Sequence, residues 1–336
     1  MRTAQRKKRR IQRPAGMGLG LTVLLLFLLC LHLGTGEYPL SVPDVVKSLW
    51  GVGEEGESFV LYQLRLPRAL AALLAGMSLG VAGAVVQGLT RNPLASPGVL
   101  GLNAGAAAAV VAVIVLFPDW SPAIRPVVGF FGGWIAVGIV YMAGWRQGTS
   151  ALRMILVGLG VAALAQAGVT FLLTMGKVQA VTQASIWMAG SVYGVRWEQV
   201  IPLIVWFLVL FPCAWTGARH LDVLHLGDEM ATGLGMRLEP IRLLLLAVGV
   251  GLAGAAVSTA GTVGFIGLMA PHIARRLIGV PHGGLIPVAA GVGGVVALGA
   301  DWAGRTLFAP LEIPMGVVTA VIGAPYFFWL LFRKVS

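Results

Sequence analysis

Apolar residues run along this chain in long blocks separated by short polar stretches. A helix needs about 20 apolar residues to cross the hydrocarbon core of a bilayer. Ten blocks are candidates: 17–34, 66–88, 99–117, 126–145, 151–175, 199–217, 240–260, 263–280, 283–303 and 314–333. The eighth is short and carries His272, Arg275 and Arg276 in its second half. The pattern predicts an all-α, polytopic integral membrane protein of about ten transmembrane helices. A basic tail over 1–16 precedes a single transmembrane domain over 17–336. Two connections are too long and polar for simple turns. The segment 35–63 holds Glu37, Asp44, Glu54, Glu55 and Glu57, and the segment 216–239 holds Asp222, Asp228, Glu229 and Glu239. Soluble partners would meet the protein at these two loops.

Composition sharpens the membrane assignment. Hydrophobic residues make up 57% and charged residues 11% of the 336, whereas a soluble domain carries about 25% charged residues. The 47 glycines show no collagen period, and in so apolar a chain they imply close helix packing within lipid. Net charge is +11, but seven of the 24 Lys/Arg fall in the first thirteen residues. That clustering reads as a cytoplasmic anchor obeying the positive-inside rule; a nucleic-acid arm would bring interleaved aromatics or a basic domain. The run 17–33 behind it looks like an uncleaved first helix, since no small-x-small cleavage site follows. An even number of spans puts both termini on one side, and Arg333 and Lys334 agree with a cytoplasmic C-terminus. With the N-terminus inside, only Lys47, Arg65, Arg68, Arg125, Lys177, Arg196 and Arg305 fall outside. Cys30 and Cys213 lie within apolar runs and read as small buried hydrophobes rather than a disulfide or metal pair.

Several chemistries lack their residues. A phosphate-binding loop needs G-x-x-x-x-G-K-[ST] after a strand, and the one Gly-Lys pair, Gly176-Lys177, has Phe171 where the first Gly belongs. Gly249-Val-Gly-Leu-Ala-Gly254 fits a dinucleotide fingerprint literally, but it lies mid-way in an apolar helix, where it reads as a packing surface like Gly76/Gly80/Gly83. The chain is therefore not expected to be an enzyme, and ATP-derived energy would come from another chain. No cofactor or metal site is expected; His272 stands alone after Pro271. Ion-coupled carriers place ionisable groups at the bilayer midplane. Here only Asp301 and Glu312 come near the spans, at helix ends, which disfavours a secondary transporter.

Four stretches have a texture that generic membrane packing does not explain: Arg65-Leu-Pro-Arg68 followed by Gln87 and Arg91-Asn-Pro-Leu-Ala-Ser-Pro97; Leu226-Gly-Asp-Glu-Met-Ala-Thr-Gly-Leu-Gly235; Gly261-Thr-Val-Gly-Phe-Ile-Gly-Leu-Met-Ala-Pro-His272 with Arg275, Gly279 and His282; and Asp301 and Arg305 followed by Glu312-Ile-Pro-Met-Gly316, Thr319 and Gly323-Ala-Pro325. From about Arg65 to the C-terminus, in order and spacing, they resemble the FecCD family of ABC-importer permeases, which move ferric siderophores, haem or cobalamin. The resemblance implies a fold like that of the cobalamin-importer permease in a bacterial plasma membrane. It also implies a second permease subunit, identical or related, two cytoplasmic ATPases and an extracytoplasmic substrate-binding protein. A ferric siderophore is the expected cargo, with cobalamin or haem as alternatives.

Local chemistry fits that expectation. Pro93 and Pro97 prevent an unbroken helix, so the chain turns there at the inner face. The segment 226–235 is too short and polar to span. Asp228 could cap a two-turn helix that Gly233 and Gly235 end, with Met230 and Leu234 forming one apolar face. In the family the matching segment, about 221–236 here, sits in a cleft of the ATPase, which assigns coupling to Leu226, Gly227, Asp228, Glu229, Ala231 and Gly235. The family's arginines matching Arg65 and Arg305 meet acidic residues of the binding protein, although arginines at helix ends also snorkel. The translocation path is expected between the two permease subunits, walled mainly by the fifth and tenth spans, with Thr170, Thr174 and Thr319 as polar lining residues.

Overall fold

The computed structural model describes residues 2–36, 38, 40–144, 151–279 and 281–335, all in helices and connecting turns, with no strand among them. Glu37 and the side chains of the first fifteen residues, of Arg333 and of Lys334 lie outside the described residues. In chain order the helices are α1 (Arg2–Gly34), α2 (Val42–Leu49), α3 (Glu55–Phe59), α4 (Leu66–Thr90), α5 (Leu102–Leu116), α6 (Arg125–Gly144), α7 (Ala151–Met175) and α8 (Val178–Met188). Then come α9 (Trp197–Thr216), α10 (Ala218–Leu224), α11 (Asp228–Gly233), α12 (Leu238–Ala260), α13 (Ile266–Ile278), α14 (His282–Thr306) and α15 (Met315–Val335). A π-helical turn over Val60–Arg65 joins α3 to α4.

Each of the ten expected spans coincides with one helix: α1, α4, α5, α6, α7, α9, α12, α13, α14 and α15. Seven of these elements are long and apolar enough to cross a membrane, while α5, α13 and the apolar part of α15 are shorter. The protein is a multi-pass membrane protein. The 13 residues of α13 rise only about 20 Å. The shortfall arises because 261–265 leaves the helical path between α12 and α13. Irregular backbone at membrane depth is tolerated where protein surrounds it. Here Val263 is buried, and the Thr262 hydroxyl donates to the Met188 carbonyl.

The architecture is organised around α4, which packs against α14, α12, α13 and α9. A helix buried all round must be apolar all round, and α4 is buried from Ala69 to Gly88 with few interruptions. Its small residues let neighbouring backbones approach closely, as membrane helix interfaces require. A Cβ on Gly83 would lie 2.7 Å from the carbonyl carbon of Gly267 in α13, and one on Gly76 would lie 2.8 Å from that of Gly293 in α14. By contrast α1, α7 and α9 turn large apolar side chains outward, among them Phe27, Leu164, Phe171 and Leu208.

One sequence expectation changes, and two features add to the reading. Cys30 and Cys213 are both free and exposed; they sit on outward faces, where hydrocarbon rather than protein would surround an apolar side chain. The backbone of the basic stretch is helical and continuous with the rest of α1. The connections also carry α2, α3, α8 and α10, short helices with no long apolar run to announce them.

Candidate coupling element and the opposite ion cluster

One end of the bundle is formed by the last turn of α4, the start of α14 and the 216–238 connection. There α10 is seated by buried Ala218, Leu221 and Leu224. Asp222 accepts from the His282 backbone N–H at 3.0 Å and contacts its ring Nδ1 at 2.6 Å, tying α10 to the start of α14. The chain then reverses at Gly227, whose φ of +107° suits glycine, and enters α11. The helix ends at Gly235 (φ +82°), where the Met236 N–H returns to the Ala231 carbonyl at 3.0 Å and the Gly235 N–H to that of Thr232 at 2.8 Å. This closing pattern satisfies carbonyls that a helix end leaves free.

The element has two unlike sides. Ala231 is fully buried against the bundle. Met230 within α11 is 59% exposed, and Leu226 just before the helix and Leu234 just after it are 60% and 64% exposed, together an apolar stripe with Glu229 exposed beside it. Asp228 does not cap the helix as the sequence suggested: Gly227 precedes the first turn and supplies no side-chain cap. Its carboxylate instead receives Arg242 Nη2 at 2.6 Å and the Arg91 guanidinium on the same oxygen. Partial burial alone would raise the Asp228 pKa, but the hydrogen bonds from Arg242 and Arg91 outweigh it and hold the carboxyl below its ordinary value. A cavity of about 220 Å³ opens behind this clamp, with Val86, Leu89, Leu100, Tyr141 and Met154 in its walls.

The other end gathers charge from distant parts of the chain. Asp301, 1% exposed, accepts both Nε and Nη2 of Arg68 at 2.9 and 3.0 Å and contacts His32 Nε2 at 2.7 Å. Arg68 Nη1 also reaches Glu312 at 3.0 Å. Arg65 and Arg305 come together here, on the last turn of α1. Arg65 donates to the Leu33 and Tyr38 carbonyls, and Arg305 to the His32 carbonyl at 2.9 Å and to Thr35 Oγ1 at 3.3 Å. Cations at a helix C-terminus meet both its free carbonyls and its dipole. Arg65 is only 5% exposed, so its guanidinium acts mainly within the chain.

Thr170 and Thr174 share the exposed face of α7, their hydroxyls donating one turn back to the Gln166 and Thr170 carbonyls at 3.0 and 2.8 Å. Thr319 is fully buried in α15 and donates to the Gly316 carbonyl at 3.0 Å, apart from the other two. His272 meets the Tyr326 ring edge-on at 5.9 Å.

The sequence reading missed Arg91 and Arg242 as partners of Asp228, and Arg68 and His32 as partners of Asp301. For Arg68 a signal existed: it opens the second span and Asp301 closes the ninth, both on one side by alternation, and charges near hydrocarbon need partners. Arg242 likewise stands in the first turns of an apolar helix, where a guanidinium calls for a nearby carboxylate.

The sequence profile of the FecCD transport family matches residues 24–333. YfhA of Bacillus subtilis (strain 168), named a probable siderophore transport system permease protein, is 43% identical over 94% of this chain and 93% of its own length. The Fe(3+)-citrate import system permease protein YfmE of the same organism is 41% identical over 96% of each chain. The achromobactin transport system permease protein CbrC of Dickeya dadantii (strain 3937) is 38% identical over 93% and 90%. A solved structure described as an inward-facing conformation of a metal-chelate type ABC transporter superposes with a TM-score of 0.86 at 30% identity, covering 95% of this chain and 99% of the other. With matching sequence, matching fold and its motifs placed at the two ends of one bundle, the chain belongs to the FecCD transport family.

Proposed function

We propose that this protein is the membrane permease of an ABC importer and forms the path for a ferric siderophore, while partner ATPases supply the energy. The observation that carries the reading is the exposed apolar trio of Met230 in the short helix α11 and Leu226 and Leu234 on either side of it, at one end of the bundle. Three large apolar side chains displayed on a short, braced element suit insertion into a cleft of a soluble motor domain, where their burial would drive association. Relatives named for siderophore and iron-citrate import support the cargo class.

In this reading the α11 end faces the cytoplasm together with both termini, and the 226–235 element meets the ATPase. Glu229 and Gly235 lie at the edge of that contact, with Gly227 and Ala231 shaping its support. A second permease subunit, identical or related, packs so that α7 and α15 border the path, with Thr170 and Thr174 on its wall and Thr319 bracing α15 from within. The extracytoplasmic binding protein docks at the opposite end. Arg65 and Arg305 serve there by holding the 32–38 corner, because their guanidiniums already engage its carbonyls.

The test is uptake into proteoliposomes containing the permease, its ATPase and its binding protein. Ferric citrate, a ferric hydroxamate, a ferric catecholate, haemin and cyanocobalamin are offered in turn. One ferric chelate is expected to enter only with ATP. Uptake driven by an ion gradient without ATP would overturn the permease role, and uptake of cyanocobalamin or haemin alone would overturn the cargo. Met230→Ser with Leu234→Ser is expected to lower ATPase co-purification by about tenfold or more, since each buried large apolar side chain is worth roughly 1.5–3 kcal/mol. Arg65→Glu with Arg305→Glu is expected to weaken binding-protein association; unchanged association in a normally inserted variant would remove those arginines from the docking scheme.

A further inference from the structure

The position of Asp228 distinguishes it from the rest of the α11 element. One carboxylate oxygen receives two guanidiniums from different helices: Arg91, the residue that ends α4, and Arg242, in the first turns of α12. These two helices pack against each other and form the centre of the bundle. Arg91 holds φ at +50°, a region a non-glycine residue occupies only where its surroundings fix it. The adjoining turn is fixed as well, since the Leu94 N–H donates to Asn92 Oδ1 at 2.9 Å. Arg242 is also 3.5 Å from Glu239 one turn earlier, which steadies it from its own helix.

We infer that Asp228 is a positioning residue that passes displacement of α11 directly into the ends of α4 and α12. This rests on the reading that α11 faces the ATPase. The apolar stripe on α11 points away from the bundle, whereas Asp228 ties the first residue of the same helix to the core. A pull or push on the stripe therefore reaches α4 and α12 through one carboxylate. The side chains of Asp228 and Arg91 are 46% and 37% exposed. So wet a pair contributes little to stability, so the Arg91 contact is cheap to break and re-form, while Arg242, only 13% exposed, keeps the other hold on the carboxylate. That suits a latch better than a brace. The 220 Å³ cavity behind the pair gives Arg91 and α4 room to shift without overpacking.

The experiment uses the complete transporter in proteoliposomes and measures ferric chelate imported per ATP hydrolysed, beside ATPase co-purification and thermal stability. Asp228→Asn is expected to lower the cargo-to-ATP ratio about tenfold, within the range typical of coupling between sites, with little change in thermal stability. Asp228→Glu is expected to recover part of the loss. Arg91→Gln combined with Arg242→Gln is expected to reproduce the effect, and adding Asp228→Asn to that pair should cost nothing more. A wild-type ratio in Asp228→Asn, or in the double arginine variant should the former not insert, would overturn the inference. So would loss of ATPase co-purification in step with the ratio, because Asp228 would then be an ATPase contact. Disulfide cross-linking from Met230→Cys to cysteines in the ATPase cleft separates the two levels: no cross-link removes the α11 reading and this inference with it, whereas a cross-link with an unchanged ratio removes the latch alone.

Discussion

Gly83→Ala is expected to prevent assembly of the folded permease, although it adds a single methyl group. The new Cβ would lie 2.7 Å from the carbonyl carbon and 2.9 Å from the Cα of Gly267 in α13. Those atoms are backbone, so no side chain can swing away, and α4 and α13 would have to separate along their contact. Overpacking a well-packed core costs roughly 1–3 kcal/mol even where side chains can adjust, and a rigid backbone neighbour makes the cost here larger. Gly138→Ala is the control. A Cβ there meets nothing within 4 Å, and exchanging Gly for Ala inside a helix is worth up to about 1 kcal/mol of stabilisation. Thermal unfolding in nanodiscs, with membrane yield, should place the two variants on opposite sides of the native protein. Gly83→Ala unfolding within a degree of native would show that the two helices are not held as closely as described.

The spans were legible because the membrane imposes a length and a composition that can be counted along the chain. The segment 151–175 expected as the fifth span is α7 to the residue, and the eighth was already short on paper because His272, Arg275 and Arg276 interrupt its apolar run. The apolar stripe of Met230 and Leu234 was legible for a similar local reason, their spacing of one helical turn. What could not be read was any pairing between distant segments. Asp228 looked like a helix cap because capping is the commonest local use of an aspartate at that position; its partners lie 137 residues before it and 14 after it. Arg65 and Arg305 read as docking or snorkelling arginines at helix ends, and only the fold brings the last turn of α1 beneath both. The helix α8 escaped because Gln179, Thr182, Gln183 and Ser185 break its apolar pattern without a recognisable cap. Local signals thus gave elements and one exposed apolar face, while the ion clusters at either end depend on how the spans are stacked.

Asp301→Ala is expected to be the most damaging change at the end opposite α11, and Glu312→Ala one of the mildest, although both carboxylates contact Arg68. The difference lies in solvent. The Asp301 side chain is fully buried and accepts two hydrogen bonds from a guanidinium that is itself 10% exposed, whereas the Glu312 side chain is 35% exposed. Removing one partner of a buried ion pair costs about 3–5 kcal/mol, because the remaining charge is stranded. Water can take over from a carboxylate about a third exposed, so its loss costs about 1 kcal/mol or less. The consequence would spread, because Asp301 also holds His32 at the end of α1, the turn whose carbonyls Arg65 and Arg305 engage. Loss of Asp301 should therefore loosen the join of α1 to α14 as well as α4. Replacing both members, Arg68→Met with Asp301→Leu, removes the stranded charge and should recover much of the stability without recovering the grip on α1. Thermal unfolding ranks the four proteins, and a cysteine cross-link between α1 and α14 reports the join. Equal melting points for Asp301→Ala and Glu312→Ala would mean that burial does not govern this cluster.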